Sequence, residues 1–209
     1  MSELIITIPH YNNPTGLLQT IESIDEEFLI DIIIVDDGSN KKPNEKLIRS
    51  KHKKGNITFK YLIQNQGVGI AANECLSFVK KGSYKYVARL DAGDICYKDK
   101  FKKQINFLDS NPEIKLVGTW ARVVDTNNTF LYNIKHPVEN NTIKKNMFLN
   151  SMFVNPTVVF CSSILDVVTE YPEKYRHAAQ DYAFFFKVIK HFNMVLSINK
   201  HIKLHGRFI

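Results

Sequence analysis

Leu4-Ile5-Ile6-Thr7-Ile8-Pro9-His10-Tyr11-Asn12-Asn13-Pro14 is the stretch that decides the fold. Its first five residues are β-branched or aliphatic with no charged side, as a strand covered by helices on both faces requires. Asn13 before Pro14 is a cap-and-first-turn pair, so a helix follows at once. The unit then recurs: Ile30 to Val35 precedes a helical pattern from Leu47, Ile57 to Ile63 precedes Val68 to Val79, and Tyr86 to Leu90 precedes Phe101 to Leu108. Repeated βα units predict an α/β fold with a mostly parallel, Rossmann-like sheet. Asp99 is expected to cap the helix from Lys100 to Asp109, which Asn111-Pro112 stops.

Beyond residue 113 the pattern changes to α+β. Lys115 to Trp120 and Ala121 to Val124 read as strands, Asn127-Asn128 as a turn, and Thr129 to Ile134 as a returning hairpin strand. Pro137 to Asn150 is polar, Pro156 to Phe160 reads as a strand, and Ala178 to Phe192 as a helix. No linker or low-complexity tract separates the parts. The expectation is therefore one domain over residues 1–209, with a nucleotide-binding half (1–110) and an acceptor and catalytic half (111–209).

Composition narrows the function classes. The 209 residues are 44% hydrophobic and 23% charged, ordinary for a globular chain, and no apolar run reaches the length of a membrane helix. Met1-Ser2-Glu3 leads straight into the first strand without a signal peptide's basic flank and cleavage site, and Cys75, Cys96 and Cys161 are odd in number and widely spaced. A cytoplasmic location is expected. The net charge of +7 is carried partly by lysines between residues 41 and 54 and between 98 and 103. These runs lack interleaved aromatics, and no recognition motif accompanies them, so nucleic acid is set aside. Two readings stay open: a solvated lysine face, or peripheral contact with an anionic membrane or diphosphate substrate.

In an open α/β sheet, ligands bind beyond the carboxyl ends of the strands. Those ends carry Pro9-His10-Tyr11-Asn12-Asn13, Asp36-Asp37-Gly38-Ser39, Asn65-Gln66-Gly67 and Asp91-Ala92-Gly93-Asp94. Paired carboxylates closing buried strands are costly unless donors or a cation meet them. They can accept from a base or ribose, or hold a hard cation that binds phosphate; equally, Asp36-Asp37-Gly38-Ser39 can be a turn in which Asp caps the backbone. Tyr11 can stack on a base. No G-x-G-x-x-G, Walker lysine or G-x-S-x-G motif is present, which removes the support for dinucleotide oxidoreduction, P-loop transfer and serine hydrolysis.

Together, Ile8 to Asn12, Val35 to Ser39, Asn65-x-Gly67 to Asn73 and Arg89 to Asp94 resemble family 2 glycosyltransferases, in the family's order. The resemblance continues through Asn155-Pro156-Thr157-Val158 and Ala179-Gln180-Asp181-Tyr182. It implies a GT-A fold and an inverting transfer in bacterial surface polysaccharide or lipopolysaccharide assembly. The sugar would come from a nucleoside diphosphate donor, a UDP-sugar by preference, and go to a glycan or lipid-linked acceptor. The resemblance further implies that Pro9, Tyr11, Asp37, Asn65 and Asp91 hold the donor nucleotide and that Asn155, Pro156 and Thr157 lie on the acceptor side. Asp181 would be the general base, and Asp91, Asp94 and His205 would meet Mg2+ or Mn2+.

Residue by residue, two departures stand out. Gly93 occupies the second Asp position of the family's Asp-x-Asp motif, and Ala72 stands where relatives place an arginine. These keep a catalytically silent sugar-nucleotide-binding protein open as the rival reading. A nucleotidyltransferase is disfavoured, because Pro9 to Asn13 is no glycine-rich phosphate loop. Asp181 itself admits a plainer reading, an acid in a helix's first turn.

Overall fold

The computed structural model describes residues 2–205, with side chains through Val195. Its first half follows the expected alternation: β1 (Leu4–His10), α1 (Pro14–Glu22), β2 (Ile30–Asp36), α2 (Glu45–Lys51), β3 (Ile57–Tyr61), α3 (Val68–Val79) and β4 (Tyr86–Arg89). β3, β2, β1 and β4 pair in that order, all parallel. The unbroken apolar character of β1 and β2 has a simple cause. Leu4, Ile6, Ile8, Ile30, Ile32 and Ile34 pack on one face with Leu17 and Phe101, whereas Ile5, Ile33 and Val35 pack on the other with Ala71, Leu76 and Phe184.

Continuing along the chain are β5 (Ile95–Cys96), α4 (Lys100–Ser110), β6 (Ile114–Val124), β7 (Phe130–Ile134), α5 (Asn140–Asn146), β8 (Val159–Cys161), α6 (Gln180–Val188) and β9 (Asn193–His205). β8 joins β4 and β6 antiparallel, and β6 continues to β9 in parallel. The sheet thus runs β3-β2-β1-β4-β8-β6-β9-β5, with β7 hairpinned onto β6. It is parallel where nucleotide-binding chemistry was expected and mixed beyond.

Several local expectations change. Lys115 to Val124 is one strand, its pairing with β9 shifting register around Trp120. Asn155–Thr157 is a 3-10 turn, because Pro156 has no N–H for a ladder, and the strand starts at Val159. Asn13 caps α1 as expected, accepting from Gly16 N at 3.2 Å. Asp99 does not cap α4; it sits in the left-handed region (φ 57°) without a side-chain cap bond. Glu26 takes the role from another loop, accepting from Phe101 N (2.6 Å) and Lys102 N (3.2 Å). The chain from Lys200 to His205 belongs to β9. Among the described residues no helix is long and apolar enough to cross a membrane.

Candidate functional site

The acid pair ending β2 is held from within. His10 Nδ1 donates to Asp36 Oδ2 at 2.7 Å, Ser39 N donates to Asp36 Oδ1 at 2.9 Å, and His10 Nε2 accepts from Asn13 N at 3.2 Å. That network fixes a neutral imidazole with its proton on Nδ1. Ser39 Oγ accepts from Asn12 N at 2.8 Å, and the left-handed turn at Asn12 (φ 51°) suits an Asn. Asp37 accepts from Gln66 N (2.8 Å) and Gly67 N (2.9 Å), so it braces the loop between β3 and α3. Both acids therefore have backbone duties that the sequence left as one of two readings, while each carboxylate keeps lone pairs to spare.

This bracing shapes a pocket. Pro9, Tyr11, Asp37 and Asn65, predicted separately at three strand ends, line one cavity of about 210 Å3, together with His10, Val68, Ala71 and His177. Tyr11 is 49% exposed, which leaves its ring available for stacking. Ala72, where an arginine was noted as missing, is buried in the core beneath α3.

A wider cleft of about 600 Å3 lies beyond β4. Asp91 and Asp94 line it, as do Asn13, Gln19, Tyr132 and Pro156. The Asp91 loop is bolted to α1. Thr20 Oγ1 donates to the carbonyls of Asp94 (2.8 Å) and Asp91 (3.2 Å) and accepts from Gly93 N (2.9 Å), while Asn13 Nδ2 donates to Ala92 O at 2.7 Å. Gly93 has φ 115°, a conformation that an Asp would adopt only under strain.

Beneath Asp91 sits Arg89, a buried cation the sequence reading passed over. Its Nη2 is 2.6 Å from Asp91 Oδ1, its Nη1 donates to Leu90 O, and its buried Nε has no partner among the described residues. Burial would lower the guanidinium pKa, but Asp91, Tyr171 and Cys75 outweigh it and hold the value raised. Asp91 keeps a side chain 44% exposed to the cleft.

Asp181 opens α6 after Ala179, which takes a left-handed φ of 59°, and its Oδ1 accepts from Tyr182 N at 2.8 Å. The helix is held by Phe184, whose ring stacks on buried Tyr171 at 4.6 Å. Burial raises the Tyr171 phenol pKa; the charge of Arg89 opposes this, while Asp181 and Asp91 add to it. Asp91 and Asp181, ninety residues apart in sequence, thus both act on the Tyr171 phenol, although Asp181 lines neither of the two cavities.

Of the acceptor-side trio, only Pro156 lines the cleft. Thr157 turns into the fold: its Oγ1 donates to Val154 O and accepts from Thr119 N, and Gln104 Nε2 donates to its carbonyl. Asn155 is buried, its Oδ1 without a partner among the described residues. Lys100, fully buried, donates from Nζ to Pro156 O at 3.1 Å; burial pushes its pKa down. A single turn of chain is thereby clamped by an amide and an amine.

Among the described residues no three His, Cys, Asp or Glu side chains are grouped closely enough to cage a cation. Asp91 and Asp94, facing one cleft, fit a hard cation that takes its remaining ligands from substrate phosphate, the usual manner of Mg2+. The His205 side chain lies outside the described residues.

The sequence model of glycosyl transferase family 2 matches residues 5–168. The chain is 31% identical over 189 residues to the uncharacterized glycosyltransferase MJ1057 of Methanocaldococcus jannaschii, spanning 88% of this chain and 63% of that protein. It is 28% identical to the amylovoran biosynthesis glycosyltransferase AmsE of Erwinia amylovora, over 77% of this chain and 59% of the relative. The chain therefore spans less than two thirds of the length of these relatives. The fold superposes on a crystal structure of S. aureus TarS in complex with UDP-GlcNAc with a TM-score of 0.74 at 18% identity, covering 100% of this chain and 60% of that one.

Proposed function

The chain belongs to glycosyl transferase family 2 and has its GT-A fold, and from that premise we propose that it transfers a sugar from a nucleoside diphosphate donor, with inversion, to a glycan or lipid-linked acceptor. The observation that carries the reading is convergence: Pro9, Tyr11, Asp37 and Asn65 share one small pocket, and Asp91 and Asp94 line a wider cleft beyond β4. The small pocket suits a base and the larger cleft suits diphosphate and sugar. A UDP-sugar is favoured, since TarS of the same fold was solved with UDP-GlcNAc. Cell-surface polysaccharide assembly is favoured by the name of AmsE.

In this mechanism the ring of Tyr11 stacks on the base, and Asp37 accepts from it with the lone pairs its backbone bonds leave free. Asp181 takes the proton of the acceptor hydroxyl as that oxygen attacks the anomeric carbon from the face opposite the diphosphate. Arg89, 2.6 Å from Asp91, anchors that carboxylate at the edge of the cleft. Mg2+ or Mn2+, held by Asp91 and Asp94 with His205 as a further candidate ligand, would neutralise charge on the departing diphosphate. We place the reaction in the cytoplasm, with the lysine-rich faces suited to peripheral contact at the inner face of an anionic membrane.

Measuring nucleoside diphosphate release over a panel of sugar nucleotides and acceptors tests the reading. Asp181→Asn is expected to lower turnover by about 10²–10⁴-fold with nucleotide affinity retained. Unchanged turnover would overturn the role of Asp181. Gly93, in a conformation closed to Asp, favours a second reading as a silent sugar-nucleotide-binding protein; binding without any turnover by the wild type would establish it.

A further inference from the structure

His177, from the second half of the chain, lines the same cavity as Tyr11 and Asp37. It lies on a short strap between the 3-10 turn at Glu173–Tyr175 and α6. The strap is fastened to the first turn of α3. Arg176 O accepts from Gly69 N at 2.8 Å. A Cβ on Gly67 would stand 2.7 Å from Arg176 O and 2.8 Å from His177 Nδ1, and one on Gly69 would stand 2.7 Å from Arg176 Cα. Gly67 also needs its positive φ of 98°. Gly69, by contrast, lies inside a helix, where Ala would raise the helix propensity, so its bare backbone answers to the strap.

The chemistry at the tip suits a base. Arg176 Nε donates to His177 Nε2 at 3.2 Å, so the neutral ring carries its proton on Nδ1. An imidazole ring with an N–H donor, exposed beside a half-exposed tyrosine, offers a face for stacking and a donor for a carbonyl such as a pyrimidine presents. From His177 the chain passes Ala178, left-handed Ala179 and buried Gln180 to reach Asp181. Three residues separate His177 of the base pocket from the candidate general base.

We propose that His177 is a donor-base specificity residue and that its strap couples filling of the base pocket to the placement of Asp181. The inference rests on the reading of this site as a nucleotide-sugar site. His177 is exposed, so its replacement leaves the core intact.

Calorimetric titration of the intact chain with UDP, and with GDP for comparison, tests the first part. Tyr11→Ala and His177→Ala are each expected to weaken UDP binding by about tenfold, and His177→Ala to narrow the preference for UDP over GDP. UDP bound equally well by His177→Ala while Tyr11→Ala loses it would overturn the assignment to His177 and leave the pocket standing. Full UDP binding by both variants would overturn the pocket reading itself. Hydrogen exchange tests the second part: UDP should slow exchange at the amides of residues 181–183 in the wild type and fail to do so in Gly69→Ala, where the new methyl displaces the strap. No UDP-dependent change at those amides in the wild type would overturn the coupling.

Discussion

The small pocket and the wide cleft each take an acid from the end of a buried strand, Asp37 and Asp91, yet the two are treated differently. Asp36 and Asp37 are 1% and 2% exposed and are met by His10 and by backbone N–H groups of Ser39, Gln66 and Gly67. Asp91 is anchored on one side by Arg89 and open to the cleft with the rest of its side chain. Charge that is satisfied from within builds a rigid recognition surface; charge left facing solvent is available to a ligand or a cation. The same residue type at equivalent strand ends thus serves shape in one region and chemistry in the other.

Replacing the braced acid should separate the regions most strongly. Asp37→Ala strands two backbone donors, one of them buried, and is expected to cost about 2–4 kcal/mol of stability in urea unfolding along with nucleotide affinity. Asp91→Asn keeps an oxygen for Arg89 and removes the charge, so we expect a smaller loss, about 1–2 kcal/mol, alongside a severe fall in turnover. If Asp91→Asn proved the more destabilising of the two, the contrast between a braced acid and an open one would collapse.

The smallest effect belongs to a pair remote from both regions. The Lys85 amine, and then the Tyr86 phenol, hold the Asp109 carboxyl below its ordinary pKa. A depressed carboxylate contributes stability above the ordinary carboxylate pKa and loses it as pH falls through the lower, folded value. The two side chains are about half exposed, so Asp109→Asn should cost under about 1 kcal/mol near neutral pH, the loss fading in acid and in high salt. A loss matching that of Asp37→Ala would mean that exposure does not govern how much these acids contribute.

The parallel half was legible because each strand and helix there declares itself locally, by an unbroken apolar run followed by an amphipathic one. Val68–Val79 came out with the boundaries its periodicity predicted. β9 was missed because Ser197-Ile-Asn-Lys-His-Ile-Lys-Leu204 mixes lysines with aliphatics and pairs with β6 and β5, both remote in sequence. Asp99 was misread as a cap for a related reason. Aspartate before a helix is a strong local signal, but Glu26 reaches the same N–H groups from more than seventy residues away. Arg89 had a faint signal, a charge ending an apolar strand; His177 had none.

The sequence by itself determined the βα order and placed Pro9, Tyr11, Asp37 and Asn65 at strand ends, because periodicity and turn chemistry are local properties of the chain, while the candidacy of Asp181 came from motif order through the family resemblance. Only the tertiary structure decided which acids are internally satisfied, that the buried Arg89 anchors Asp91, and that His177 comes to the pocket of Tyr11 and Asp37. Those outcomes depend on which distant groups the packed sheet brings within hydrogen-bonding or charge range, and in a low-dielectric interior that proximity sets what each charge can do.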